Sequence, residues 1–254
     1  MEEHYSKVHL NFGQKTFTIL KAHKMSLTTG LICVHLQLKE NGRHNLKQNK
    51  TNNKFVYLIS PNKIKTNDFY TELAQVLSSK KVSFFQLRLK KETNRNKISI
   101  GKKIKKICKR YKVKFIINDD PILAKKLNSD GCHLGQQDMK IKEARKILGS
   151  KKIIGMTCHN SKLLIKKAIK EKADYIALGS FFKTKTKKTK YRAKLTTLKW
   201  HKKAHNLPVV AIGGITDKNY KKLLLNKADF LAISGHIWKN KKQKPKQAIQ
   251  NIKK

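Results

Sequence analysis

The sequence predicts a closed barrel of eight parallel strands with helices outside it, the TIM (β/α)8 architecture, following a short N-terminal extension. Three observations carry that prediction. Short continuous apolar runs recur along residues 55–254, as strands covered on both faces do, because neither face meets water. Each run is followed by a stretch of helical periodicity, and strict βα alternation implies parallel strands with helices packed on them. The runs number eight, the count that closes a barrel, with a doubly wound open sheet as the alternative.

In order, FVYLIS (Phe55 to Ser60) reads as the first strand, and Asn67 to Ser79 as a helix through Phe69, Leu73 and Leu77, capped at Thr66 or Asn67. VSFFQLRLK (Val82 to Lys90) is the second strand and Ile98 to Tyr111 the next helix. KFIIN (Lys114 to Asn118) precedes a short helix beginning near Pro121, a residue suited to a first helical turn. GCHL (Gly131 to Leu134) is a brief strand, and Lys140 to Leu148 a helix closed by Gly149. KIIGMT (Lys152 to Thr157) leads to a helix over Ser161 to Lys172, and YIALGS, starting at Tyr175, to a long polar loop and a helix around Thr196 to His205. PVVAI (Pro208 to Ile212) ends in Gly213-Gly214 and is followed by a helix from Asp217 to Asn226; FLAIS (Phe230 to Ser234) ends in Gly235, and Pro245 to Ile252 is the last helix. Two strands share their entry, KADYIALGS and KADFLAISG, as a barrel of equivalent units would.

Residues 1–54 mix short apolar pieces with a linker-like tail, GRHNLKQNKTNNK, and receive no fold; they lack the arginine and serine pattern of a transit peptide, and Met25 is a second candidate start. The domain division is therefore 1–54 and 55–254. The net charge of +45 rests on 60 basic residues, six of them arginine. A nucleic-acid interface enriches arginine and interleaves aromatics for stacking. Lysine here is spread evenly and aromatics are sparse, so the charge reads mainly as a bias toward lysine and no specific nucleic-acid partner is expected. Four cysteines (Cys33, Cys108, Cys132, Cys158) form no CxxC pair, and no apolar run reaches the length of a membrane span. The expectation is a cytoplasmic protein with reduced thiols and no membrane partner; self-association is left open.

In such a barrel the chemistry sits at the C-terminal strand ends. The second strand ends with Gln86, Arg88 and Lys90, alternate residues that face one side and suit a multiply charged anion such as diphosphate. The third ends with Asn118, Asp119 and Asp120, and the loop after the fourth holds Gln136 and Asp138. Asp119 and Asp138, with oxygen-only surroundings beside a phosphate site, describe Mg²⁺, whereas Asp120, directly before Pro121, reads as a helix cap. Thr157 ends the fifth strand as a hydroxyl donor, with Cys158 packing and His159 a further candidate. After the sixth strand come Thr184, Thr186 and Lys187 in the string KTKTK, a hydroxyl-and-amine loop. Gly214 after the seventh strand and Ser234 after the eighth stand where barrels bind phosphate. Two anion sites facing one mouth, with a metal between them, imply joining a diphosphate to a monophosphate.

From Phe55 to about Asn240 the chain resembles the thiamine-phosphate synthase (thiamine-phosphate pyrophosphorylase) family, which includes thiazole tautomerases. The strings that carry the resemblance are QLRLK (Gln86 to Lys90), INDD (Ile117 to Asp120), DGCHLGQQD (Asp130 to Asp138), IIGMTCH (Ile153 to His159), GSFFKTKTK (Gly179 to Lys187), VVAIGGI (Val209 to Ile215) and AISG (Ala232 to Gly235). It implies a transferase of thiamine biosynthesis: condensation of a hydroxymethylpyrimidine diphosphate with a thiazole phosphate, the diphosphate leaving first with Mg²⁺ assistance and the thiazole nitrogen capturing the pyrimidine cation. It further implies that Gln86, Arg88, Lys90, Asn118 and Lys187 hold the pyrimidine diphosphate, that Asp119 and Asp138 hold Mg²⁺, and that Thr157 keeps a hydroxyl where the family has serine. Thr184, Thr186, Gly214 and Ser234 would contact the thiazole phosphate, with Arg88, Lys187 and Asp119 carrying the chemistry. Lys183 stands in place of the usual proline and His236 in place of a small residue, and residues 1–54 have no counterpart. Two other readings compete: a thiazole tautomerase of the same fold, and a basic nucleic-acid-binding protein on a degenerate barrel.

Overall fold

The computed structural model describes residues 5–12, 15–22, 54–64, 66–184 and 191–253. The chain divides into two units, Met1–Glu40 and Asn41–Lys254. In the first, where the sequence suggested no fold, β1 (Tyr5–Phe12) pairs antiparallel with β2 (Lys15–Ala22), Val8 opposite Ile19 and Leu10 opposite Phe17.

The second unit is the expected barrel. β3 (Val56–Ile59), β4 (Val82–Leu87), β5 (Lys114–Asn118), β6 (Gly131–Leu134), β7 (Ile153–His159), β8 (Tyr175–Gly179), β9 (Val209–Ile212) and β10 (Phe230–Ile233) pair in parallel and in chain order, and β10 closes onto β3. Helices α1 (Asp68–Leu77), α2 (Asn94–Arg110), α3 (Pro121–Lys126), α4 (Ile141–Leu148), α5 (Lys162–Lys170), α6 (Leu195–Ala204), α7 (Lys221–Leu225), α8 (Gly235–Trp238) and α9 (Pro245–Gln250) alternate with them.

Strand alternation sorts the apolar residues into two cores. Tyr57, Phe84, Ile116, Ile153, Tyr175, Val210 and Phe230 fill the barrel, while Leu58, Phe85, Ile117, Ile176 and Leu231 pack outward under the helices. Two close approaches demand glycine. A Cβ at Gly155 would lie 2.0 Å from Cζ of Tyr175, and one at Gly131 would lie 1.9 Å from the Ile153 carbonyl oxygen.

The shared KAD entry has a physical purpose at the foot of the barrel. Lys172 and Lys227 take the left-handed turn that ends a helix, at φ 62° and 65°, and the following Asp174 and Asp229 enter the next strands. The Asp174 carboxylate accepts the Ile154 N–H at 2.8 Å and pairs with Arg145 at 2.7 Å. Asp229 accepts the Val209 N–H at 2.8 Å and pairs with Lys202, and Asp130 accepts the Phe115 N–H at 2.8 Å. Each aspartate satisfies the first free amide of the preceding strand, which the barrel ladder leaves unpaired.

Several boundaries differ from the sequence expectation. The second strand stops at Leu87 because its neighbours stop there, β3 pairing as far as Gln86 and β5 as far as Leu87; the Arg88 amide instead donates to Ser60 Oγ at 2.9 Å. Helix α2 begins at Asn94, since Thr93 caps it by accepting the Asn96 N–H at 3.3 Å. The fifth strand runs on to His159 through an irregularity between Thr157 and His159. The helix expected from Asp217 begins at Lys221, because the Asn219 side chain holds the preceding turn by bonding the Gly214 carbonyl and the Thr216 amide, each at 2.9 Å. Asp120 is the cap anticipated, accepting the Leu123 N–H at 2.9 Å.

Candidate active site

The C-terminal strand ends surround one cavity of about 850 Å³. Gln86, Arg88, Lys90, Asn118, Asp119, Asp138, Thr157, Thr184, Gly214 and Ser234 all line it. Thr186 and Lys187 lie outside the described residues.

One wall is cationic. Gln86 is buried at 3% exposure, Arg88 is half-buried, and Lys90 is open to the mouth. Burial pulls the Arg88 pKa down and Asp119 pushes it back, while its Nη1 donates to Asn62 Oδ1 at 3.1 Å. A guanidinium keeps its charge through such a shift, so this is a fixed planar cation with a carboxamide holding its orientation.

Facing it is an acidic pair. Asp119 sits in the left-handed region at φ 65°, which turns the chain back after β5, and its carboxylate meets Lys90 Nζ at 2.8 Å. Asp138 accepts the Gly135 N–H at 2.6 Å. The two carboxyls are hydrogen-bonded to each other and titrate in opposite directions. Burial raises both, but Lys90 and the Asp138 hydrogen bond bring Asp119 below the usual range, whereas burial and the bond to Asp119 hold Asp138 above it. Like charges held this close fit a divalent cation with oxygen ligands. Among the described residues no group of three or more histidines, cysteines or acids assembles, so the donor set is two carboxylates and whatever a ligand brings.

Beneath the mouth runs a buried chain of hydrogen bonds. Gln86 Nε2 donates to Tyr57 Oη at 3.2 Å; Tyr57 and Tyr175 hydroxyls are 2.7 Å apart; Tyr175 Oη is 3.0 Å from His133 Nδ1, and His133 Nε2 is 2.8 Å from Thr157 Oγ1. Gln86 Nε2 donates into the chain, and the Tyr57, Tyr175, His133 and Thr157 groups each pair with the next. Burial pushes both phenols up, so they stay neutral. Thr157 is thereby tied through His133 to the interior of the barrel.

The opposite rim is built for close approach. Gly213 and Gly214 have φ of 106° and 63°, and a Cβ on Gly214 would lie 2.2 Å from the Lys183 carbonyl oxygen. Ser234 donates its hydroxyl to the Ser60 carbonyl at 3.2 Å and precedes α8. This short helix was absent from the sequence reading; it is fixed by Trp238, whose Nε1 donates to the Ile59 carbonyl at 2.7 Å and whose ring packs on Phe69. His159 stacks on Tyr191 with ring centroids 4.1 Å apart. Cys158 is buried with its thiol pushed up to about 12, a packing residue as expected. Sequence reading missed Tyr57, Asn62, His133 and Tyr175. Tyr57, His133 and Tyr175 stand in strands and left a signal, since each is a polar-tipped residue inside an otherwise apolar run.

Comparison with known proteins agrees with this geometry. A family described as thiamine monophosphate synthase matches residues 56–237. A thiamine-phosphate synthase of Pelagibacter ubique (strain HTCC1062) is 70% identical over 208 residues, covering 82% of this chain and 100% of the relative. One from Rhodospirillum centenum (strain ATCC 51521 / SW) is 39% identical, covering 72% and 88%. Among solved structures, the thiamine phosphate pyrophosphorylase of Pyrococcus furiosus superposes with a TM-score of 0.69 at 26% identity, over 79% of this chain and 94% of that one. None of these supports the tautomerase or the nucleic-acid alternative.

Proposed function

The chain belongs to the thiamine monophosphate synthase family, and on that footing we propose that the mouth of its barrel joins a hydroxymethylpyrimidine diphosphate to a thiazole phosphate, releasing pyrophosphate and giving thiamine phosphate. The observation that carries the reading is the meeting, around one cavity, of the Gln86–Arg88–Lys90 wall, the Asp119–Asp138 pair and the Gly214–Ser234 rim.

In this reading Arg88, Lys90 and Asn118 take the diphosphate, joined by Lys187. Asp119 and Asp138 hold Mg²⁺, which, when bound, neutralises charge building on the departing diphosphate. Lys90 contacts Asp119 directly, so the residues that grip the diphosphate and those that hold the metal form one electrostatic unit. Thr157, hydrogen-bonded to His133, offers its hydroxyl to the pyrimidine end. Thr184, Thr186, Gly214 and Ser234 take the thiazole phosphate and set its nitrogen toward the pyrimidine methylene. The carbon–oxygen bond to the diphosphate breaks, the nitrogen lone pair forms the new carbon–nitrogen bond, and no protein nucleophile is needed. Catalysis is then positioning and preorganised charge.

We place the catalytic unit in residues 55–254, with residues 1–54 outside it. Among the described residues no helix is long and apolar enough to cross a membrane. A cytoplasmic setting suits the three described cysteines, which are free and buried. The direct test supplies purified protein with both substrates and Mg²⁺. Thiamine phosphate and pyrophosphate form in equal amounts; a folded sample that makes neither refutes the reading.

A further inference from the structure

His236 follows Gly235 at the start of α8, where the resembling family has a small residue, and it lines the cavity. Its side chain is 8% exposed, and its Nε2 is buried with no hydrogen-bond partner among the described residues. That nitrogen faces Asp217 Oδ1 at 3.9 Å, beyond hydrogen-bond reach; burial pulls the imidazole pKa down and Asp217 pushes it back, so the contact is an ion pair only when the ring takes up a proton. Asp217 belongs to the turn after β9 that carries Gly213 and Gly214 and is held by Asn219. The two sides of this contact therefore come from different loops, one bearing Gly214 and the other Ser234, which together form the rim assigned above to a monophosphate.

An imidazole nitrogen nine-tenths buried and left short of its partner is costly, and such a group persists where a ligand or a small closure completes it. Anchors on the rest of α8 leave little freedom elsewhere. Trp238 is tied to the Ile59 carbonyl, and Ser234 to the Ser60 carbonyl. The contact between the α8 start and the Asp217 turn then links α8 to the loop after β9.

We infer that His236 is a positioning residue for the monophosphate end of the site: with Asp217 it latches the loop after β9 to the loop after β10 and so holds Gly214 and Ser234 in place around one phosphate group. His236 acts through those loops and touches no reacting atom. The inference rests on the proposed reaction for the identity of the monophosphate, though the phosphate chemistry itself does not depend on it.

The test is a two-substrate kinetic analysis of His236→Gln, Asp217→Asn and the double variant in the full chain. In either single variant KM for the thiazole phosphate rises about five- to tenfold, KM for the pyrimidine diphosphate and kcat stay within about twofold, and the double variant is no worse than the poorer single, as coupled residues require. Equal rises in both KM values, an unchanged KM, or multiplicative effects in the double variant overturn the latch. A parallel arm uses inorganic phosphate alone and reads its thermal stabilisation of the protein, which both variants reduce. Should the wild type make no thiamine phosphate while the phosphate arm still separates wild type from variants, the proposed reaction falls and the latch stands. Should His236→Gln fail to fold, Asp217→Asn alone decides, since its side chain is partly exposed.

Discussion

Replacing Tyr175 by phenylalanine removes one oxygen from the centre of the barrel and leaves the packing volume almost unchanged. The ring is 1% exposed, and its hydroxyl bonds both Tyr57 at 2.7 Å and His133 at 3.0 Å. Losing it deprives both the Tyr57 hydroxyl and His133 Nδ1 of a hydrogen-bond partner. Each buried polar group so stripped costs about 1–3 kcal/mol, and no cavity term is added, so Tyr175→Phe is destabilised by about 2–6 kcal/mol. Urea unfolding reads this as a lower midpoint with an unchanged slope. The kinetic effect travels along the chain. Without Tyr175, His133 loses the hydrogen bond on its Nδ1 that helps orient the ring toward Thr157, so kcat/KM falls about tenfold, the scale of one misdirected hydrogen bond. Thr157→Val causes a comparable loss, and adding Tyr175→Phe to it costs little more. Because both phenols are neutral over the working range, wild type and Tyr175→Phe share the same pH profile shape. A Tyr175→Phe protein within about 0.5 kcal/mol of wild type, or a loss that multiplies with that of Thr157→Val, refutes the coupled chain.

Other residues make separate tests. Asp138→Asn abolishes turnover or raises the Mg²⁺ requirement at least tenfold, measured by metal titration of the rate; in the wild type that requirement also climbs as pH falls, because the proton Asp138 holds above the usual carboxylate range competes with the metal. The metal-free pair has opposing linkage: the contribution of Asp119, with its lowered pKa, is present above the ordinary value and lost as pH falls, whereas that of Asp138, with its raised pKa, is present below the ordinary value and lost as pH rises through the folded one. Acid unfolding followed by circular dichroism in Asp119→Asn therefore begins at lower pH than in wild type, relative to neutral stability. Arg88→Lys lowers kcat/KM about 10²-fold or more, since an ammonium cannot reproduce a fork aligned by Asn62, and a twofold effect would count against the assignment. Asp174→Ala, which strands a half-buried Arg145, costs about 3–5 kcal/mol in chemical unfolding while leaving kcat within about twofold.

What the sequence reveals depends on whether the deciding interaction is local. Apolar runs and their spacing are local, so the eight strands, the closure and the polar residues at their C-terminal ends are legible, and the described candidates share one cavity. Where an element ends is decided by its neighbours, which is why β4 stops at Leu87 although QLRLK reads as continuous strand. Helix α8 was invisible for the same reason, a four-residue turn held by Trp238 reaching across to Ile59. The hydrogen-bond chain joins five strands' worth of partners separated by up to 118 residues, and no periodicity in one chain segment announces it.

The clearest physical statement about the site comes from how a chain with 15 acidic and 60 basic residues spends its carboxylates. At the foot of the barrel Asp130, Asp174 and Asp229 each accept a strand amide and meet a cation of their own, Lys114, Arg145 and Lys202 respectively. Those arrangements are electrostatically complete. At the mouth Asp119 and Asp138 share Lys90 and face each other, at a cost that pushes Asp138 toward its protonated form. Among the described residues Asp138 pairs with no cation of its own, an arrangement that fits the Mg²⁺ proposed above. The foot uses carboxylates to finish the barrel, whereas the described residues at the mouth leave two carboxylates facing one lysine, and that contrast separates the two sets of aspartates in a protein where charge alone says little.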